Sequence, residues 1–246
     1  MSARGAPRVG DAFGEMLLDC LAHDQPVVEV VERSDGRIDT GDARRYFAPS
    51  NDWRPEERDF LRRAAGRVLD IGAGAGRHAH ELQSQGREVV GLDTSAGAIE
   101  VLRRRGVGQV YHGTVFQLDR TRPRPFDSVV LMGNNLGLLG GSATASRWLG
   151  LLDRLVAPGG RVLGSGLDPY RTDDPLHLAY HGSNRRRGRM GGQMRIRSRF
   201  KDAATSWFDY LFASPDELAG LLASSAWRIA DSEERAWGYA VELLRR

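Results

Sequence analysis

The chain has 246 residues, of which 41% are hydrophobic and 27% charged, with a formal net charge of +3. That is the composition of a folded globular chain, and the charge is too small to argue for a nucleic-acid partner. Cys20 is the one cysteine, which excludes an internal disulfide and a Cys-rich metal centre. No apolar run approaches the ~20 residues that span a bilayer, and the N-terminus lacks the apolar core of a secretion signal. The expectation is a cytoplasmic protein with no membrane contact and no metal; nothing in the sequence sets its oligomeric state.

In chain order, residues 1–10 are rich in Gly, Pro and Arg and read as a frayed tail. Asp11 to Ala22 places Phe13, Met16, Leu17, Leu18 and Leu21 on one helical face. Val27 to Arg33 fits a strand or the apolar face of a helix, before the turn Ser34-Asp35-Gly36. Pro55 suits the first position of a helix through Glu56, Glu57, Phe60 and Leu61. Residues 1–55 therefore read as an N-terminal helical cap or lid, and 56–246 as the main domain.

The centre of the chain is Gly66-Arg67-Val68-Leu69-Asp70-Ile71-Gly72-Ala73-Gly74-Ala75-Gly76-Arg77. A short apolar strand ends in a carboxylate, three alternate glycines make a turn, and a helix follows. Glycine lets the backbone approach a ligand, and the free N–H groups of a helix start favour negative charge. A second strand, Glu88 to Leu92, ends at Asp93, about where a doubly wound fold puts an acid that binds ribose. Ala96 to Arg105 reads as a helix, and Gln109 to His112 as a third strand. Phe126 to Met132 is a fourth strand, followed by Gly133-Asn134-Asn135-Leu136-Gly137. Ala145 to Leu155 is an amphipathic helix ended by Pro158-Gly159-Gly160, and Arg161 to Gly166 is a fifth strand.

The spacing Gly72-x-Gly74-x-Gly76, with Asp70 before it and Asp93 after the next strand, resembles motif I of the class I methyltransferases that use S-adenosylmethionine (SAM). Phe126-Asp127-x-Val129 and Leu-x-x-Pro-Gly-Gly-x-Val-Leu resemble later motifs of the same family, so the resemblance covers roughly residues 60–168. It implies a Rossmann-like α/β fold: a doubly wound, mostly parallel seven-stranded sheet with helices on both faces and an antiparallel C-terminal hairpin. SAM is the implied cofactor. On the family pattern Gly72, Gly74 and Gly76 form the cofactor turn, Asp70 orients the methionine end, and Asp93, with Thr94 beside it, holds the ribose. Thr114 stands where the family usually has an Asp for the adenine amino group, and Val115 and Phe116 flank the ring. Met132 and Gly133 face the methionine part, and Tyr46 of the cap, with Phe47 and Trp53 behind it, supplies an aromatic cover suited to a sulfonium cation. Asn134 and Asn135 lie at the carboxyl end of a strand, where such folds bind ligands; either reaches the methyl-transfer cavity, or the pair only closes a turn. The Asn/Asp-Pro-Pro-Tyr segment of DNA methyltransferases is missing, which argues against an exocyclic base amine as acceptor.

Residues 171–212 form an insertion. His177 and His181 in it are candidate general bases, and Tyr170 is a candidate substrate contact. Arg185, Arg186, Arg187, Arg189, Arg195, Arg197 and Arg199 make a basic run. Gln193 to Phe200 alternates like a strand, with Ala204 to Phe212 as its hairpin partner. Ser214-Pro215-Asp216-Glu217 starts a helix, and Trp227–Ala230 with Tyr239–Leu244 are the last two strands. The expected function is methyl transfer to a small-molecule acceptor of secondary metabolism, by in-line displacement with positioning and a general base. The alternatives are an RNA or protein methyltransferase that uses the Arg185–Arg199 hairpin, a non-catalytic SAM-binding protein, and a nucleotide-dependent oxidoreductase, which the glycine spacing disfavours.

Overall fold

The computed structural model describes residues 7–23, 25–236 and 238–246; most of the expected tail, residues 1–6, lies outside them. The first element is β1 (Arg8–Val9). Next, α1 (Ala12–Ala22) starts at Asp11, whose carboxylate accepts the Gly14 N–H at 3.0 Å. β2 (Val28–Arg33) and β3 (Ile38–Asp42) form an antiparallel hairpin, so the ambiguous 27–33 stretch is a strand. α2 (Pro55–Leu61) has Pro55 in its first turn. Strand and helix then alternate: β4 (Arg67–Ile71), α3 (Arg77–Ser84), β5 (Glu88–Asp93), α4 (Ala96–Arg104), β6 (Gln109–His112), α5 (Val115–Arg120), β7 (Phe126–Leu131), α6 (Ser142–Leu155) and β8 (Val156–Leu167). The remainder is α7 (Pro175–Arg186), β9 (Gln193–Phe200), β10 (Ala203–Ala204), β11 (Phe208–Leu211), α8 (Pro215–Leu222), β12 (Trp227–Arg235) and β13 (Gly238–Arg245).

Seven strands form the main sheet in the order β12-β13-β8-β7-β4-β5-β6. From β8 to β6 all pairings are parallel, and β13 and β12 close the other side antiparallel. The central strands are apolar throughout because both faces are covered. Leu69, Ile71, Val129 and Leu131 pack on one face with Leu149, Leu152 and Trp227. Val68, Val130 and Met132 pack on the other with Phe60, Leu82 and Leu102. Pro158-Gly159-Gly160 is not a turn that precedes the strand. β8 begins at Val156, opposite Phe126, and the next pair is Ser128 with Arg161, so residues 157–160 bulge out within it.

The cap is a sheet rather than a helical lid of residues 1–55 alone. Its strands run β1-β10-β9-β2-β3, with β11 on the far side of β9. Val30 stands opposite Arg199, so strands from both ends of the chain share one sheet. A lone two-stranded hairpin is marginal in water, and the third strand supplies the missing partner. Cross-strand partners and residues two apart share a face. Glu29, Val31 and Arg33 of β2 therefore lie on one face with Ile196 and Ser198 of β9 and Phe208 and Tyr210 of β11. α1 ties this cap to the main sheet. The second Asp11 carboxylate oxygen accepts from Ser95 Oγ at 2.9 Å and from the Gly97 N–H at 2.8 Å, at the start of α4.

Candidate active site

The glycine turn follows β4. Gly72, Gly74 and Gly76 have φ of +70°, +55° and +78°, a region that L side chains rarely adopt. The Gly72 and Ala73 N–H groups donate to the Leu92 carbonyl at 2.8 and 3.0 Å, which locks the turn to β5. Asp93 ends that strand, 8% exposed. One of its oxygens accepts the Gly74 N–H at 2.8 Å and the other the Ser95 N–H at 2.9 Å. Burial raises its pKa, and those amides oppose the rise. Asp70 is only 1% exposed, and both its carboxylate oxygens are buried without a hydrogen-bond partner. Burial pushes its pKa up to about 6; the Asp93 charge adds to this, and His78 and Arg77 oppose it. A buried acid with no hydrogen-bonded counter-ion beside a glycine-lined turn suits a cationic ligand group. The SAM ammonium fits that description, and the carboxylate at Asp93 keeps lone pairs for ribose hydroxyls.

Gly133, φ +69°, is exposed at the end of β7. Arg77, His78 and Glu57 surround the space a side chain there would take. Glu57 is buried and accepts from Arg77 at 2.6 Å and from His78 at 2.8 Å. Although burial works against it, His78 and Arg77 hold the Glu57 carboxyl below its ordinary range. Trp53 packs edge-on against the His78 ring at 4.9 Å. Its indole N–H donates to the Ala48 carbonyl at 2.8 Å, which binds it to the cap.

Asn134 adopts a left-handed backbone, φ 72°, rare for a residue with a side chain. Two side chains brace it. Ser165 Oγ of β8 accepts its N–H at 3.0 Å, and Tyr210 of β11 donates to its carbonyl at 2.7 Å. Gly137 makes room for this, because a Cβ there would collide with the Tyr210 ring. The Asn134 Oδ1 is buried and unpartnered. Tyr46 donates to Glu29 at 2.6 Å, beside Arg45, which pairs with the same carboxylate. Its ring meets Phe13 edge-on at 5.3 Å, and Phe13 lies 3.7 Å from where a Cβ on Gly74 would be. Phe13 thus lies beside the glycine turn, with Tyr46 packed on its ring.

Other expected site residues carry structural contacts of their own. The Asn135 amide donates to the Ile71 and Gly72 carbonyls at 3.0 and 2.9 Å and braces the glycine turn. Thr114 is the N-cap of α5, in a capping box with Gln117. Val115 is 2% exposed in the core, so only its backbone can reach an adenine, and Phe116 packs against Trp148 at 5.4 Å. Met132 is fully buried in the core, which leaves Gly133 as the open position. Thr94 is exposed, and its carbonyl lies 3.2 Å from the His112 ring nitrogen.

His177 and His181 lie on α7, a helix within a stretch that sequence reading leaves irregular. His177 accepts from the buried Arg33 of the cap at 3.1 Å. Its pKa is lowered by burial and by Arg37 and Arg33. His181 is 1% exposed with both ring nitrogens unpartnered, and burial brings its pKa down to about 4. Tyr170 packs edge-on against His181 at 5.8 Å and donates to Glu217. Arg33 and Glu29 share the inner cap face with Tyr210, so that face links the histidine pair to the Asn134 loop. Of the arginine run, Arg197 and Arg199 pair with Glu32 and Arg195 with Asp209. Asp11, Glu29, Glu57, Ser165 and Tyr210 escape sequence reading, because each acts through partners far away along the chain.

A family model described as a methyltransferase domain matches residues 68–160. A SAM-dependent methyltransferase from Bacteroides fragilis, solved in complex with S-adenosyl-L-homocysteine, aligns with a TM-score of 0.81 at 24% identity, over 96% of this chain and 94% of that one. The CcbJ methyltransferase from Streptomyces caelestis aligns at 0.59 and 18% identity, over 81% and 99%. The glycopeptide N-methyltransferase MtfA, complexed with SAM, aligns at 0.54 and 16% identity, over 81% and 96%. A search of curated proteins finds no matching sequence. Residues 68–160 thus match a methyltransferase domain, and the chain takes the fold of the SAM-dependent methyltransferases it aligns with.

Proposed function

We propose that this methyltransferase moves the methyl group of SAM to a small-molecule acceptor held between the inner face of the cap sheet and the carboxyl ends of β4, β5 and β7. The observation that carries the reading is the Asp70 carboxylate, fully buried and unpartnered beside the glycine turn. When bound, SAM supplies an already activated methyl carbon on a sulfonium, so positioning does much of the catalysis. Asp70 binds the ammonium of the methionine end, and Asp93 accepts from the ribose hydroxyls. The Gly72–Gly76 turn admits the cofactor, the Thr94 and Thr114–Val115 backbones border the adenine, and Tyr46 covers the site. Asn134 contacts the acceptor, and Tyr170 is a second contact for it.

His177 and His181 are the proposed proton acceptors. Burial and the arginines around them keep both imidazoles neutral at pH 7, the form that takes up a proton. With a pKa of about 4, His181 is a weak base, so general-base catalysis adds less here than positioning. The ion pairs made by Arg195, Arg197 and Arg199 favour a small acceptor over RNA, because a phosphate backbone would have to displace them. We place the protein in the cytoplasm; no described helix is long and apolar enough to cross a membrane.

The test is mass-spectrometric detection of methylated product and S-adenosylhomocysteine (SAH) after incubation of the protein with SAM and a panel of hydroxyl- and amine-bearing small molecules. The reading predicts SAH formation that depends on one acceptor class and is lost in Asp70→Ala. Saturable SAM binding with no transfer to small molecules, and transfer to RNA or protein instead, contradicts it.

A further inference from the structure

The inner face of the cap sheet is more aromatic than a polar acceptor needs. On β11, Phe208 and Tyr210 share this face, and Phe212 continues the line. Their rings meet edge to face, Phe208–Tyr210 at 6.2 Å and 83°, Tyr210–Phe212 at 5.8 Å and 89°. The ladder does not belong to the buried core. Phe208 is 38% exposed, and Tyr210 and Phe212 are half-buried. One rung is fixed to the reaction loop, since Tyr210 donates to the Asn134 carbonyl at 2.7 Å and lies flush against Gly137. On that loop, the buried Asn134 Oδ1 is a hydrogen-bond acceptor without a donor. An unmatched buried acceptor costs stability unless a ligand supplies the donor, and aromatic rings pair best with other rings.

On the reading above that this is a methyltransferase with a small acceptor, we infer that the acceptor is a planar aromatic molecule bearing an O–H or N–H group. Its ring packs on the Phe208–Tyr210 ladder and its donor meets Asn134 Oδ1. The aliphatic parts of the same face, Val31 and Ile196, extend the wall for ring substituents. Tyr210 is then a positioning residue, holding the strained Asn134 backbone from the cap side while Ser165 holds it from β8.

Simple probes test this. Phenol, toluene and cyclohexanol are titrated by ligand-observed NMR against the SAH complex of the wild type, Phe208→Ala and Asn134→Gly. The glycine variant keeps the left-handed backbone and removes only the side chain. SAH binding to each variant is measured by calorimetry first. The inference predicts unchanged SAH affinity in both variants. It predicts wild-type binding of phenol about tenfold tighter than that of toluene or cyclohexanol. Phe208→Ala should weaken phenol and toluene together, and Asn134→Gly should erase the preference for phenol over toluene. Normal SAH binding with no preference for phenol, or with a preference untouched by both variants, overturns the inference and leaves the methyltransferase reading standing. Failure of the wild type to bind SAH removes that reading, and the inference with it.

Discussion

Buried carboxylates set the chemistry around the glycine turn, residue by residue. Asp70 has a pKa of about 6 in the folded protein against an ordinary 3.8. The folded value lies above the unfolded one, so the native state binds the extra proton between about pH 4 and 6. The charge therefore costs stability as pH rises through that window. The cost is absent below pH 4 and reaches about 2–3 kcal/mol above pH 6. Asp70→Asn should stabilise the ligand-free protein by roughly 1–3 kcal/mol at pH 7.5, and the gain should vanish near pH 4. Urea melts at the two pH values check this; a destabilised Asp70→Asn protein at pH 7.5 would show that the carboxylate has a partner. A cationic ligand reverses the sign. SAH binding near pH 6 should release protons, visible as a heat that changes with buffer, and Asp70→Asn should abolish that release.

At the scale of elements, α1 is held by one side chain acting twice. Asp11 caps its own helix and also supplies an acceptor to the start of α4, next to Asp93. The Gly14 and Gly97 backbones meet there; a Cβ on Gly97 would lie 2.6 Å from the Gly14 Cα. Asp11→Ala should cost about 1–2 kcal/mol, the usual loss for a cap. It should also speed amide hydrogen exchange in residues 12–22 and weaken SAH binding, because Phe13 would no longer rest on the glycine turn. Faster exchange spread evenly over the whole chain would contradict the local clasp.

Elements with local signals are legible in the sequence, and those defined by distant partners are not. The β4–turn–α3 unit and Asp93 could be read because strand, glycines and acid lie within 30 residues of one another. α5 and α7 escaped a reading that keyed on apolar periodicity, although both carry start signals. Thr114-x-x-Gln117 is a capping box, and Asp174-Pro175 repeats the N-cap and Pro pattern that marks α8. The Thr114 side chain makes that cap, which leaves its backbone at the border proposed for the adenine.

For the whole molecule, the main sheet follows its motifs, whereas the cap could not be assembled from sequence. β2 and β9 are more than 150 residues apart and carry alternating charges that only make sense once Glu32 meets Arg197 and Arg199. The same distance hid the contact between the cap and the Asn134 loop. Tyr210 reaches the Asn134 loop from the cap face it shares with Glu29 and Arg33, a face that strands from both ends of the chain build. The molecule is thus a methyltransferase fold whose main sheet is written locally and whose cap is written across the two ends of the chain.

We propose that Asp93 and the glycine turn hold the nucleoside of SAM. Isothermal titration of SAM and SAH into the wild type and Asp93→Ala tests it most directly. The account predicts micromolar-class binding of both ligands to the wild type, weakened in Asp93→Ala by about 1–3 kcal/mol through loss of charge-assisted hydrogen bonds. Equal affinity of the two proteins for SAH, with Asp93→Ala folded as judged by its circular dichroism, would contradict it.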